Sequence, residues 1–160
     1  MGFEEFAAAR LPALLRFAFL LSGDRELARD LVQETLTRAL VRWSRIEAAD
    51  QPYAYVRTML TNEFLAFRRR KRLPTVPLTD ELAPSPPGDE RDPELWQQLA
   101  GLPKQQRAVL VLRYYEGLSD AEISEVLRCR PGTVRAYAAR AFATLRVELT
   151  QPSHSEGGTR

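Results

Sequence analysis

Between positions 73 and 93 the chain reads LPTVPLTDELAPSPPGDERDP, with prolines at 74, 77, 84, 86, 87 and 93. Each proline lacks a backbone donor and crowds the preceding turn, so neither a helix interior nor a central strand survives that density. The stretch is therefore a connector, extended and stiff in places. Whatever folds must fold on either side of it. Asp92-Pro93 then supplies an N-cap and a first helical position, restarting helix at Glu94. A length of 160 residues can hold one compact domain or two small ones. The expected organisation is a domain over 1–72, a linker over 73–92, a second domain over 93–150, and a disordered tail over 151–160.

Both blocks carry helical periodicity, and no strand is needed anywhere. In the first block a helix is expected from about Phe3 to Leu21, with Pro12 kinking it or splitting off its first turns. A second begins near Asp24 and runs to about Trp43, its apolar residues Leu27, Leu31, Leu36, Leu40 and Trp43 recurring at helical spacing. Its other face carries Arg29, Asp30, Gln33, Glu34, Thr37 and Arg38. A polar loop, about Ser44 to Gln51, separates it from a third helix that starts at Pro52 and ends in the basic run Arg68 to Arg72. In the second block a short helix precedes Pro103. A longer one follows to Glu116, with Val109, Leu110, Leu112 and Tyr114 as core.

The segment GLSDAEISEVLRCRPGTVRAYAARAFATLR, Gly117 to Arg146, reads as two helices joined by a tight turn. Ser119 and Glu122 form a capping box, and Gly117 suits the end of the preceding helix. Ile123, Val126 and Leu127 give the first helix its apolar face. Pro131 opens the second, where Val134, Ala138, Ala141 and Leu145 step by three and four. Arg135, Tyr137 and Arg140 are left to face outward or sideways. A helix-turn-helix requires this division, one helix packing while the other offers long donors to a major groove. An ordinary helical hairpin with solvated arginines fits the same periodicity. Two positions depart from the motif: Arg128 stands where such turns usually place Gly, and Ser124 where they favour Ala. An arginine held left-handed costs about 1 kcal/mol relative to glycine.

Composition narrows the function classes. A hydrophobic fraction of 44% with 28% charged is that of a folded soluble protein. The lone Cys129, read as a small packing residue in the turn, excludes an internal disulfide framework. With His154 as the one histidine, no metal site and no cofactor is expected. There is no glycine-rich phosphate loop and no nucleophile elbow, and carboxylates such as Asp30 and Glu34 lie one turn apart on a helix face. No enzyme is expected. The apolar run LPALLRFAFLL follows Glu4 and Glu5, is broken by Arg16 and is too short to span a bilayer, which points to the cytoplasm. The net charge of +2 hides a segregation: +4 over residues 1–72, −4 over 73–93 and +2 over 94–150.

Two longer patterns carry a resemblance. DRELARDLVQETLTRALVRW, followed by PYAYVRTMLTNEFLAFRRRKR, closely resembles the second region of extracytoplasmic-function sigma factors of the sigma-70 family. LPKQQRAVLVLRYYEGLSDAEISEVLRCRPGTVRAYAARAFATLR resembles their fourth region. The two stand in the right order across a linker of suitable length. The short loop after Trp43 and the missing third region resemble the small two-domain members found among actinobacteria-like sequences. The fold this implies is all-α: a region 2-like three-helix domain and a region 4-like helix-turn-helix domain joined by the proline-rich linker.

The resemblance also implies roles. Asp30, Gln33 and Glu34 would grip the clamp coiled coil of core RNA polymerase, and the flap region is a second expected contact. Arg57 and Asn62 would touch the minus-ten strand. Arg68, Arg69, Arg70, Lys71 and Arg72 would touch phosphates of the upstream duplex. The loop Ser44–Gln51, anchored by Trp43 and Tyr53, would pocket an everted base, an extraction that costs a few kcal/mol. Thr133, Arg135, Tyr137 and Arg140 would meet the minus-thirty-five element. Ala136 and Tyr137 stand where family members often carry Ser and Arg or Gln, so the promoter sequence is not transferable. An anti-sigma factor is a further partner the resemblance brings in. The implied function is to direct core polymerase to specific promoters and help melt them. The alternatives are a helix-turn-helix regulator acting without core polymerase, and an interaction module that binds polymerase or another protein without DNA.

Overall fold

The computed structural model describes residues 1–67, Leu99 and 101–150, with side chains as far as Arg146. Among them all regular structure is helical. The basic run 68–72, the linker, the helix expected before Pro103 (apart from Leu99) and the tail with His154 lie outside the described residues. The chain divides into two compact units, Met1–Pro93 and Glu94–Arg160.

The first unit packs three long helices and one short one. α1 (Phe3–Ser22) is unbroken, with Pro12 inside it. Pro12 is exposed, as is Ala8, whose carbonyl loses its donor, so the lost bond falls on the solvent side. Its opposite face buries Phe6, Leu14, Phe17, Ala18 and Leu21. Gly23, left-handed at φ 72°, closes the helix by donating to the Phe19 carbonyl. Asp24 then caps α2 (Arg25–Val41), its Oδ1 accepting from the amides of Glu26 at 2.8 Å and Leu27 at 3.2 Å.

α2 buries Ala28, Leu31, Val32, Thr35 and Ala39. The expected core position Leu40 is 55% exposed. The step from Leu31 to Leu36 is five residues, about 140° around a helix, which carries Leu36 and Leu40 off the buried stripe. The expected polar loop is also corrected. It contains a short helix, α3 (Trp43–Glu47), pinned by fully buried Ile46 and by Trp43 packing against Phe3 and Phe6 at ring-centroid distances of 5.6 and 5.0 Å. α4 (Pro52–Ala66) opens with Pro52 in its first turn and buries Val56, Leu60, Thr61 and Phe64. It closes at Ala66, with Phe67 extended, and so stops short of the basic run in which it was expected to end.

In the second unit α5 (Lys104–Leu110) runs into a π-helical turn, Val111–Tyr115. The Glu116 amide reaches back five residues to the Val111 carbonyl at 3.1 Å. That wider turn shifts the phase of the pattern. Val109, Leu110 and Leu112 are buried as expected, but Tyr114 is 64% exposed rather than core. Arg107 is buried, and desolvation lowers its pKa to about 10, which leaves it charged at neutral pH. Gly117, at φ 73°, redirects the chain into α6 (Asp120–Leu127), and α7 (Pro131–Thr150) follows. Ala141 and Leu145 of α7 join Leu99, Leu102 and Leu110 in one apolar cluster.

Candidate nucleic-acid interface and partner face

The helix-turn-helix is built by local chemistry. Ser119 Oγ accepts from the Glu122 amide at 3.1 Å, and Glu122 Oε1 accepts from the Ser119 amide at 2.8 Å, completing the capping box. Arg113, on the π turn, donates to Asp120 Oδ1 from Nε at 3.2 Å and also from its terminal nitrogen. That bond is the main cause holding its pKa above the ordinary value. The pair ties the start of α6 to the element before it. Ser124 is buried, and its hydroxyl donates to the Ala121 carbonyl at 2.6 Å, so the hydroxyl is satisfied inside its own helix.

The turn itself is closed by Arg128 at φ 56°, ψ 49°, left-handed as anticipated, with amides donating back to the Ser124 carbonyl. Cys129, half-buried, follows it. Burial raises its thiol pKa and keeps it protonated at neutral pH. Pro131 opens α7, and Val134, Ala138, Ala141 and Leu145 are buried, the stripe expected from spacing.

The four residues expected to meet DNA do not share one face. On a helical wheel Thr133, Tyr137 and Arg140 fall within about 60° of one another, whereas Arg135 lies about 160° from Thr133. Arg135 and Arg140 are exposed, and Thr133 and Tyr137 half-buried. Arg135 therefore flanks the buried stripe on one side and Thr133 and Tyr137 on the other, with Arg140 beyond them. Between these flanks the outward ridge is small: Gly132, Ala136, Ala139 and Ala143. Neither Arg135 nor Arg140 forms an ion pair with any described residue.

In the first unit the three residues assigned to the polymerase grip do come together. Asp30, Gln33 and Glu34 span about 100° of α2 and all are exposed. Glu34 accepts from Arg38 Nε at 3.0 Å, and Arg38 also reaches Glu63 on α4 at 2.5 Å. Asp30 has no such partner among the described residues. Arg57 and Asn62, both half-buried, lie five residues apart on α4 and so point in different directions. The Arg57 guanidinium lies over the Tyr53 ring, 5.8 Å from its centroid. Trp43 is held by α1 rings, which fits an anchor.

Leu36 and Leu40, expected in the core, line a groove instead. An open groove of about 460 Å³ runs between α1 and α2, with Phe3, Ala7 and Leu11 on one wall and Gln33, Leu36 and Leu40 on the other. Beyond it Val41 is 81% exposed. The signal was the phase slip after Leu31, which leaves Leu36 and Leu40 without a core to enter.

Sequence models of two regions match this chain, Sigma-70 region 2 over residues 6–73 and Sigma-70 region 4 over residues 93–145. The RNA polymerase sigma-E factor of Streptomyces coelicolor is 38% identical, the match covering 93% of this chain and 86% of the relative. The chain belongs to the sigma-70 family, in its extracytoplasmic-function branch. The sigma factor EcfG of Rhodopseudomonas palustris is 32% identical over 86% of this chain and 79% of its own. Among solved structures, a chain from the co-crystal of the sigma factor RpoE with the anti-sigma factor NepR from Bartonella quintana matches at a TM-score of 0.69 and 27% identity, covering 93% of this chain and 97% of that one. This sigma factor thus has the all-α architecture of its relatives. Among its described residues no helix is long and apolar enough to cross a membrane, and no group of three His, Cys, Asp or Glu side chains is placed to hold a metal ion.

Proposed function

We propose that this sigma factor divides its work between the two units: residues 1–72 hold core RNA polymerase and the minus-ten element, and residues 93–150 hold the minus-thirty-five element. The observation that carries the reading is the contrast between the face of α2, where Asp30, Gln33 and Glu34 stand beside Arg38, and Arg135 and Arg140 of the helix-turn-helix, which have no ion-pair partner among the described residues. A mixed face beside an apolar groove suits a protein helix pair, so the clamp coiled coil sits on α2 with Leu36 and Leu40 extending the contact. The flap region contacts the second unit. Arg135, Tyr137 and Arg140 face base edges and nearby phosphates, with Thr133 at a phosphate. Arg57 and Asn62 contact the opened minus-ten strand, the segment 44–51 pockets its everted base, and Arg68, Arg69, Arg70, Lys71 and Arg72 contact phosphates of the upstream duplex.

The connector 73–92, which holds most of the −4 segment, occupies a basic channel of the polymerase until nascent RNA displaces it. An anti-sigma factor masks the assembled surfaces, as suggested by the relative crystallised with one. The protein works in the cytoplasm and catalyses nothing alone. The test is to add it to core polymerase and assay transcription across a set of genomic promoters. Specific initiation is expected. DNA binding without core would make it a free-standing regulator, and binding to core without initiation would make it an interaction module. Replacing the connector with a neutral one should alter abortive initiation and promoter escape; no change in either reduces it to a tether.

A further inference from the structure

We propose that Arg128 is a phosphate contact on the upstream promoter duplex, and that its left-handed backbone is retained because that residue makes the contact. The inference rests on the reading of the second unit as the clamp on the minus-thirty-five element. Among the described residues Arg128 is the one non-glycine with positive φ. The chain has a cheaper solution to the same problem and uses it twice. Gly23 and Gly117, at φ 72° and 73°, close the helical segments before them without a Cβ clash. A side chain that tolerates such a backbone only with strain, at a turn where glycine serves elsewhere in the same molecule, points to work done by that side chain.

The surroundings say what the work is. Arg128 and Arg130 are exposed on either side of half-buried Cys129, and neither has a carboxylate partner among the described residues. Arg135 joins them. Its Nη2 lies 3.8 Å from where a Cβ on Gly132 would stand, so its guanidinium folds back over the first turn of α7. Three arginines thus stand in or beside the turn, and none has an ion-pair partner among the described residues. Arg128 stands three residues before Pro131, so its Cα is within about 11 Å of the start of α7. A major groove is about 12 Å wide and bounded by two phosphate rows. With α7 in the groove, the turn meets the wall rather than the floor, where a guanidinium pairs with phosphate oxygens. The competing role, a cation at the C-terminal end of α6, would need only a charge and no DNA.

The test uses the full chain reconstituted with core polymerase on a promoter chosen by its initiation. Arg128→Gly should raise the thermal midpoint of the free protein while weakening the promoter complex. The loss should be uniform across base substitutions in the upstream element, and the magnitude of the salt slope should fall by about 0.9. As salt rises about fourfold, the ratio of wild-type to variant affinity should shrink roughly 3.5-fold. Arg128→Lys should keep the slope, and on a fragment lacking the upstream element Arg128→Gly should bind like wild type. A raised midpoint with unchanged affinity and slope overturns the proposal, because the arginine is then merely tolerated. A loss confined to one base pair, or one that persists without the upstream element, overturns it too. A midpoint that does not rise removes the strain argument. Wild-type protein that initiates nowhere defeats the underlying reading instead, so the two failures are distinguishable.

Discussion

The polar face of α2 and the helix-turn-helix treat their charges in opposite ways. On α2 the acidic residue Glu34 is tied to Arg38 one turn on, and Arg38 is tied to Glu63 of α4. Around the turn before α7, and along α7 itself, Arg128, Arg130, Arg135 and Arg140 have no described ion-pair partner. A polyanion is recognised by an uncompensated excess of cations, which releases its counterions. A protein partner is recognised by a patterned surface whose charges are of both signs and partly held in place beforehand. On the proposed reading the same chain carries one surface of each kind, and the pairing pattern distinguishes them better than net charge does.

The sharpest way to break this contrast is to invert the α2 face. Asp30→Lys combined with Glu34→Lys should lower the affinity for core polymerase by more than tenfold, since like charges set against a complementary partner cost several kcal/mol. A competition binding assay with labelled protein measures it. The folded state should hardly notice, because the exposed Glu34–Arg38 pair contributes only about 0.3–0.5 kcal/mol. Unchanged affinity would remove the assignment of this face to the polymerase.

The second prediction addresses the unpaired side. If Arg135 reads a guanine, Arg135→Ala should cost about 1–3 kcal/mol at one base pair and relax specificity there alone. Its position on the opposite flank from Tyr137 and Arg140 implies that its base differs from any that they read. Footprinting the variant on promoters substituted one position at a time resolves this. A uniform loss would mark Arg135 as a phosphate contact, and the ridge of small residues would then be the surface closest to the base edges.

Much of the architecture was legible because its signals are local. The proline run pointed to two bodies, and the chain divides into two compact units. Asp24, Ser119 with Glu122, and Pro131 announced helix starts through bonds made within three residues. The stripe Val134, Ala138, Ala141 and Leu145 followed from spacing. The misses share a non-local cause. α3 forms because Ile46 enters a core and Trp43 meets rings from α1, which no five-residue propensity reveals. The π turn before Gly117 adds one residue to the helical phase, and that was enough to turn Tyr114 outward. On α2, the clustering of Asp30, Gln33 and Glu34 on one exposed face was readable from the helical period. The bridge from Arg38 to Glu63 joins residues on two helices and was not. The opposed position of Arg135 was open to the same wheel, since a spacing of two residues from Thr133 already places it across the helix.

A third prediction concerns the scaffold that presents Arg135 and Arg140. Ser119→Ala removes one half of the capping box and should destabilise the second unit by about 1 kcal/mol, read as a lower thermal midpoint. At a temperature where the variant remains folded, promoter affinity should match wild type. An affinity loss there would mean that the cap also sets the aim of α7.

The smallest effect tests the paired side of the contrast directly. A double-mutant cycle with Glu34→Gln and Arg38→Gln should give a coupling energy of about 0.3–0.5 kcal/mol by denaturant unfolding, because both partners are roughly half exposed and the surrounding water screens them. The informative quantity is the same cycle measured on core-polymerase binding. If the intrahelical pair only holds Glu34 in place for its partner, Arg38→Gln should weaken binding slightly, through lost orientation, and only while Glu34 is present. If instead Arg38 competes with the polymerase for Glu34, the single substitution should strengthen binding. A stability coupling well above about 1 kcal/mol would mean that the pair is committed internally, leaving Asp30 and Gln33 to carry the polar part of the grip beside the apolar groove.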